Sequence, residues 1–359
     1  MNARQTILLL IISFAGLAPT ASRADAVPVV RAADEKLPRD VPGDVPGELK
    51  RLIGEYRSAD AQLTIYESGG ELFAQGLGLH GALLQRQSAT RFSVDDGTGH
   101  PRIPVEFQLD RNRQAAAVVV GDSRLQFKDI GREVVEQIRA GVKAHTGQLR
   151  AGALSAMPPT EPPPKRGFDL VDLATVDPTI KFDIRYASSN NFIGFPLYER
   201  PAAYLQRPAA EALGRVQRSL ASKGYGLVIH DGYRPWFVTK MFWDATPESA
   251  HMFVADPSQG SRHNRGCAVD LTLYDLKSGN AVEMTGRYDE MSPRSYADYV
   301  GGTSRQRWFR ELLRSEMEAQ GFAVYPEEWW HFDYRDWSDY SIGTATFSQL
   351  AAASRAAKQ

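Results

Sequence analysis

Ser261-Arg262-His263-Asn264-Arg265-Gly266-Cys267-Ala268-Val269-Asp270 constrains this chain more than any other stretch. His263 and Asp270 stand seven positions apart. Side chains on a straight strand alternate with a period of two, so one unbroken strand cannot aim both at a single ion. The backbone has to break between them, and Asn264-Arg265-Gly266 are turn-forming residue types at that point. Beyond the break, Val269, Leu271 and Leu273 alternate with Ala268, Asp270 and Thr272, the pattern of a strand with one core face. Asp270 then falls on the opposite face, free to coordinate a cation.

Downstream, Glu327-Glu328-Trp329-Trp330-His331-Phe332-Asp333 supplies another imidazole with a carboxylate three residues before it. Two histidines and one aspartate form an N,N,O donor set. Such a set leaves the fourth position of a tetrahedral Zn²⁺ open to water, the arrangement of a catalytic zinc. Taken together, Ser-x-His-x-x-Gly-x-Ala-x-Asp, the later Glu-x-Trp-His and the upstream Asp231-Gly232-Tyr233-Arg234-Pro235 resemble the D-alanyl-D-alanine dipeptidases, a family of zinc metallopeptidases. The resemblance covers roughly residues 168 to 345.

That resemblance implies one Zn²⁺ per chain, held by His263, Asp270 and His331. It implies Glu328 as the general base acting on water, with Glu327 set aside only by the motif alignment. Arg234 would support the tetrahedral intermediate, a task suited to a fixed guanidinium that is always charged. Asp289 would pair with the substrate ammonium, and Ser261 and Tyr186 would line the dipeptide pocket. The implied substrate is the small dipeptide D-Ala-D-Ala, with cell-wall fragments as further partners. A peptidoglycan D,D-carboxypeptidase or endopeptidase shares the metal motifs and stays open as an alternative. An inactive zinc-binding module is a further one, opposed by the intact His263, Asp270, His331 and Glu328. Cys267, the only thiol, is set aside as nucleophile or ligand because its parity differs from that of Asp270 and it stands at a variable motif position.

Around this centre the chain divides readily. Its 359 residues suggest about two domains. A net charge of -1 argues against nucleic acid as a main partner. One cysteine allows no internal disulfide. Arg4, the apolar run from Ile7 to Leu17 and Ala24-Asp25-Ala26 have the three regions of a cleavable signal peptide over residues 1–26. The run is short for a transmembrane helix, so a periplasmic or secreted protein without a stable membrane span is expected.

Residues 27–46 read as a flexible spacer and 47–131 as a small antiparallel β domain of unassigned role. In that domain Leu63–Glu67 with Glu71–Gln75, and Val118–Val120 with Arg124–Phe127, make hairpins. His80 and His100 stand alone there as surface or packing residues. Val134, Ile138 and Val142 share a helical face, with Gly147 as the expected stop, and a proline-rich linker completes residues 132–166. Residues 167–347 read as the peptidase domain, and 348–359 as a tail. Strands are expected near 168–173, 180–184 and 225–230, with helices from Pro208 and from Ser304 to Gln320. His145, His230 and His251 carry no assignment, although His230 lies near Arg234. Helices and strands alternate without a βαβ rhythm, so the fold class is α+β, with a central antiparallel sheet flanked by helices.

Overall fold

The computed structural model describes residues 40–356. The signal segment, residues 1–26, lies outside the described residues, as does most of the spacer.

A one-turn helix, α1 (Gly47–Lys50), leads into eight strands: β1 (Gly54–Arg57), β2 (Gln62–Ser68), β3 (Glu71–Gly76), β4 (Leu79–Arg86), β5 (Arg91–Val94), β6 (Ile103–Leu109), β7 (Ala115–Val120) and β8 (Ser123–Phe127). Each pairs antiparallel with its successor. The last returns to the first through Tyr56↔Phe127 and Arg57↔Gln126, which closes a barrel. Closure leaves no unpaired strand edge. The expected hairpins are β2–β3, turning through Gly69-Gly70 in the left-handed region, and β7–β8. Leu63, Ile65, Leu84, Phe92, Val105, Phe107 and Leu125 fill the interior. Tyr56 lies among them, edge-on to Phe107 and Phe127, and its hydroxyl donates to the Leu52 carbonyl at 2.7 Å.

Two helices follow, α2 (Ile130–Val142) and α3 (Thr146–Ser155). Gly147 therefore does not stop a helix as expected. The break comes at Lys143–His145, and Gly147 sits in the first turn of α3. Residues 158–166 form no helix or strand and are tied along the C-terminal half. The Glu161 carboxylate pairs with Arg265 and accepts the Ile342 N–H at 2.7 Å, while Arg166 pairs with Asp336 at 2.6 Å. Among the described residues, no helix is long and apolar enough to cross a membrane.

The remainder is a mixed α/β unit built from β9 (Leu170–Asp172), β10 (Lys181–Phe182), β11 (Tyr204–Gln206), α4 (Arg207–Ala221), β12 (Tyr225–Asp231), α5 (Trp236–Ala245), β13 (Ala268–Asp275), α6 (Ser304–Glu318), β14 (Phe322–Tyr325), β15 (Glu328–Tyr334) and α7 (Phe347–Ala356). The main sheet runs β10-β12-β13-β15-β14. Strands β12, β13, β15 and β14 pair antiparallel as expected, and the departure is at the edge, where β10 lies parallel to β12. The connection between them carries β11 and α4, a crossover long enough for parallel pairing. Leu213, Val216 and Leu220 of α4, and Phe309, Leu313 and Met317 of α6, belong to one core with Leu227, Ile229, Val269, Leu271 and Phe332 of the sheet.

Thr303 and Gln306 form a capping box at the start of α6, as the T-x-x-Q spacing allows. The barrel adds to that cap. Glu67 of β2 is 2% exposed, and its carboxylate accepts the Ser304 N–H at 2.7 Å. Its own N–H donates to the Gly302 carbonyl at 3.0 Å, and Arg307 donates to its carbonyl at 2.7 Å. A buried carboxylate at a helix N-terminus satisfies orphan N–H groups and meets the positive end of the helix dipole. The barrel thus docks on the C-terminal half through specific polar contacts.

Candidate metal centre and active site

Sheet register brings three acidic and imidazole side chains into one row. Asp231 at the end of β12 is opposite Asp270 of β13, and Asp270 is opposite His331 of β15. The alternate residues Val269, Leu271 and Phe332 point into the core. His263 reaches the same place from the turn that Asn264-Arg265-Gly266 were expected to supply, a short 3-10 segment ended by Gly266 at φ 68°. A Cβ at Gly266 would lie 2.5 Å from Leu170, so both its conformation and its surroundings require glycine.

The donor atoms converge. His263 Nε2 lies 3.1 Å from His331 Nδ1 and 3.2 Å from Asp270 Oδ1, and His331 Nδ1 lies 3.1 Å from that same oxygen. The far nitrogens define the tautomers. His263 Nδ1 donates to the Gly232 carbonyl at 2.7 Å, and His331 Nε2 donates to Asp333 at 2.8 Å. In that tautomer, the one a metal ion requires, each ring aims a bare lone pair at the other and at a carboxylate. Three acceptors packed this way repel unless a cation sits among them, and donors around a ~2.0 Å tetrahedral zinc stand about 3.3 Å apart. Among the described residues, His263, Asp270 and His331 form the group able to hold a metal ion. Gly232 and Asp333 orient the rings from behind, as partners of metal-binding histidines do.

A cavity of about 280 Å³ opens over this group, lined by Tyr186, Arg234, Ser261, Asp289, Glu328 and Trp330 among others. Arg234 is buried, and its Nε and terminal nitrogen hold Asp231 at 2.9 and 2.8 Å. Asp231 is satisfied on its other side by the Tyr198 hydroxyl at 2.6 Å. The guanidinium lies over the rings of Phe242 and Tyr186, 4.7 and 5.3 Å from their centroids, which fixes it in place.

The Glu328 carboxylate stands 3.6 Å from His331 Nδ1 and keeps 21% exposure. Burial pushes its carboxyl up to about 7. Asp289 accepts the Tyr186 hydroxyl at 2.9 Å on one oxygen, while Oδ2 is buried without a hydrogen-bond partner. Burial, with Asp270 second, raises its carboxyl well above the ordinary range. An acid so placed calls for a cation beside it.

The peptidase M15 family model, described as D-Ala-D-Ala dipeptidase, matches residues 166–347. The chain belongs to that family. Curated D-alanyl-D-alanine dipeptidases are similar to it: one from Escherichia coli K12 at 35% identity over 50% of this chain and 92% of its own length, one from Enterococcus faecium at 36% over 44% and 87%, and one from Streptomyces coelicolor at 36% over 46% and 92%. A solved LD-carboxypeptidase, LdcB, is matched at 16% identity over 54% of this chain and 77% of that one. Its TM-score of 0.28 is too low to bear on fold or function. The protein is thus a peptidase of a metallopeptidase family, with a His-Asp-His group that can bind metal.

All eight residues singled out in the sequence, His263, Asp270, His331, Glu328, Arg234, Asp289, Ser261 and Tyr186, line this one cavity. Ser261 also braces the metal group, since its hydroxyl accepts the His263 N–H at 3.2 Å. Glu327 is not among the lining residues. Cys267 is fully buried, and burial pushes its thiol far up. His251 stacks on Trp243 at 3.8 Å, while His80 and His100 are exposed. His230 packs on Tyr288 at 4.5 Å and does not join the metal group.

Tyr288, Asp333 and Tyr198 received no role from the sequence. Tyr288 donates to Asp270 Oδ2 at 3.0 Å and so joins the Asp289 loop to the metal group. Asp333 was legible in principle, because two residues past His331 on a strand is the same face.

Proposed function

We propose that this peptidase hydrolyses free D-Ala-D-Ala to two molecules of D-alanine, with zinc at His263, Asp270 and His331. The observation that carries the reading is the buried Asp289 Oδ2, a lone acceptor in a small cavity beside the metal group. A substrate with a free ammonium one residue from its scissile bond supplies the missing cation. At about 280 Å³ the cavity falls just below the roughly 300–1,000 Å³ typical of ligand pockets, in keeping with a small substrate.

A zinc ion bound there supplies Lewis-acid polarisation of the scissile carbonyl and acidifies water. Glu328 takes the proton of the attacking water at its carboxylate and passes it to the leaving amine as the C–N bond breaks. The Arg234 guanidinium, held by Asp231, faces the oxyanion that develops on the carbonyl. Asp289 and Tyr186 hold the ammonium end, and Trp330 walls the cavity against bulk water. The N-terminal segment read as a signal peptide makes the proposed enzyme an exported one, acting in the periplasm or beyond.

Arg234 offers a test of the oxyanion role. Removing it outright would orphan the buried Asp231, which is destabilising in itself. Arg234→Lys keeps a charge against Asp231 and loses the planar fork. We expect kcat to fall by about 10²-fold with metal content unchanged. A raised KM at normal kcat would make Arg234 a ground-state binder instead.

Substrate size tests the reading as a whole. D-Ala-D-Ala should be cleaved well, and N-acetyl-D-Ala-D-Ala should be cleaved at least about 10²-fold less efficiently, because acylation removes the ammonium and strands Asp289. Asp289→Ala should lose activity on the dipeptide and narrow that gap. Efficient release of terminal D-alanine from a pentapeptide stem would overturn the dipeptidase reading in favour of a carboxypeptidase.

A further inference from the structure

We propose that Glu290 is the positioning residue that holds Asp289 at the substrate ammonium, and that α2 holds Glu290 in place from the N-terminal half of the chain. The inference rests on the reading of Asp289 given above. Asp289 has φ 59°, in the left-handed region, which a residue with a side chain keeps only where its surroundings hold it there. Those surroundings are built on the next residue.

The Glu290 side chain is 1% exposed. One of its oxygens accepts the Arg287 N–H at 2.8 Å, and the other accepts the Ser292 hydroxyl at 2.8 Å. The carboxylate thus ties residue 287 to residue 292 and closes the turn on both sides of Asp289. Arg294 Nε, 3.4 Å away, and Arg287 Nε, 3.7 Å away, balance its charge. Both carboxylate oxygens of Glu290 are engaged by the loop itself, so the carboxylate shapes the turn.

A separate set of contacts reaches the same side chain from outside the catalytic half. A Cβ at Gly131, in the first turn of α2, would lie 2.5 Å from Glu290 Cγ, so the helix rests directly on the Glu290 stem. Asp129, just before α2, pairs with Arg287 at 2.5 Å. Beyond Arg294 lies Glu55 of β1, 2% exposed, whose charge Arg294 and Tyr299 face. The substrate loop is therefore gripped between its own turn and the barrel–α2 module. This assigns that module a part in substrate recognition that does not require it to touch substrate.

Glu290→Gln preserves volume but removes the charge that faces two arginines and one of the two acceptor oxygens. In the full-length, metal-loaded protein we expect KM for D-Ala-D-Ala to rise about tenfold with kcat within about threefold of wild type, the signature of lost ground-state binding. The preference for D-Ala-D-Ala over N-acetyl-D-Ala-D-Ala should shrink by a similar factor, and zinc content should not change. Gly131→Ala, which pushes on Glu290 from α2, should shift KM and preference in the same direction. A merely structural role would lower the melting temperature without moving either quantity.

Wild-type KM and preference in folded, zinc-loaded Glu290→Gln would overturn the proposal. If that variant does not fold, Gly131→Ala decides by the same criteria. If the wild type cleaves no dipeptide, the proposed function falls, and hydrogen exchange decides Glu290 separately. The Arg287 amide should then exchange at least about tenfold faster in the variant, and unchanged exchange refutes the positioning role.

Discussion

Glu328→Gln is expected to lower kcat on D-Ala-D-Ala by at least the ~10²–10⁴-fold that general acid–base catalysis supplies, with zinc content unchanged. Glutamine fills the same volume and keeps a hydrogen-bonding oxygen, so the cavity wall survives while the basicity goes. The separation of the two readouts follows from the geometry. Glu328 faces His331 Nδ1 across 3.6 Å from the cavity side and is not one of the three converging donors. Its partial exposure gives it access to water, and its burial brings its carboxyl to about 7, within reach of taking and releasing a proton near neutrality. Stopped assays on purified variant and wild type, with metal analysis on the same samples, check both halves. A variant that keeps most of its turnover would place the base elsewhere, with Glu327 next to be replaced. Loss of zinc together with turnover would make Glu328 a ligand.

How much of this was legible beforehand depends on the reach of each interaction. The break at Asn264-Arg265-Gly266 and the alternation after it are local, and both appear where the residue types put them. The row Asp231, Asp270, His331 is not local. It depends on pairings across 39 and 61 positions, which no periodicity encodes, and only the motif resemblance placed these residues together. The same limit hid barrel closure. Hairpins β2–β3 and β7–β8 could be read from their turns, but nothing near Tyr56 announces Phe127 as its neighbour. Strand β10 falls where a strand was expected, near 180–184, but its parallel pairing was not foreseen, because only two residues pair, too few for a pattern.

Gly147 was misread for a different reason. A glycine after an apolar stripe usually marks a helix end, but here the chain turned three residues earlier and began a second helix. Polar residues were the hardest to foresee. Glu55 and Glu67 look like the solvent face of alternating strands, yet both are buried where the barrel meets the catalytic half. Their burial is tolerated because Tyr299 and Arg294 face one, while the N-terminus of α6 receives the other. Sequence patterning cannot see a partner supplied more than two hundred residues away.

The metal group yields the second large effect. His263→Ala is expected to lose both zinc and turnover, because three protein ligands leave no redundancy. The loss should also appear as stability. A metal that binds only the folded chain adds RT ln(1 + [L]/Kd), about 4 kcal/mol at a thousandfold excess over Kd. A chelator should therefore lower the melting temperature of the wild type and abolish its activity, while the melting temperature of His263→Ala should ignore chelator and added zinc alike. Asp333→Ala separates orientation from coordination. Asp333 accepts the His331 Nε2–H at 2.8 Å and ion-pairs with Arg262 at 3.2 Å, so it touches the ring without joining the donor triangle. Its loss frees the ring to rotate and should weaken zinc binding about 10–100-fold, leaving an enzyme that excess zinc restores. No amount of zinc should restore His263→Ala. Full zinc occupancy with normal turnover in that variant would sink the ligand assignment, whatever became of the family membership.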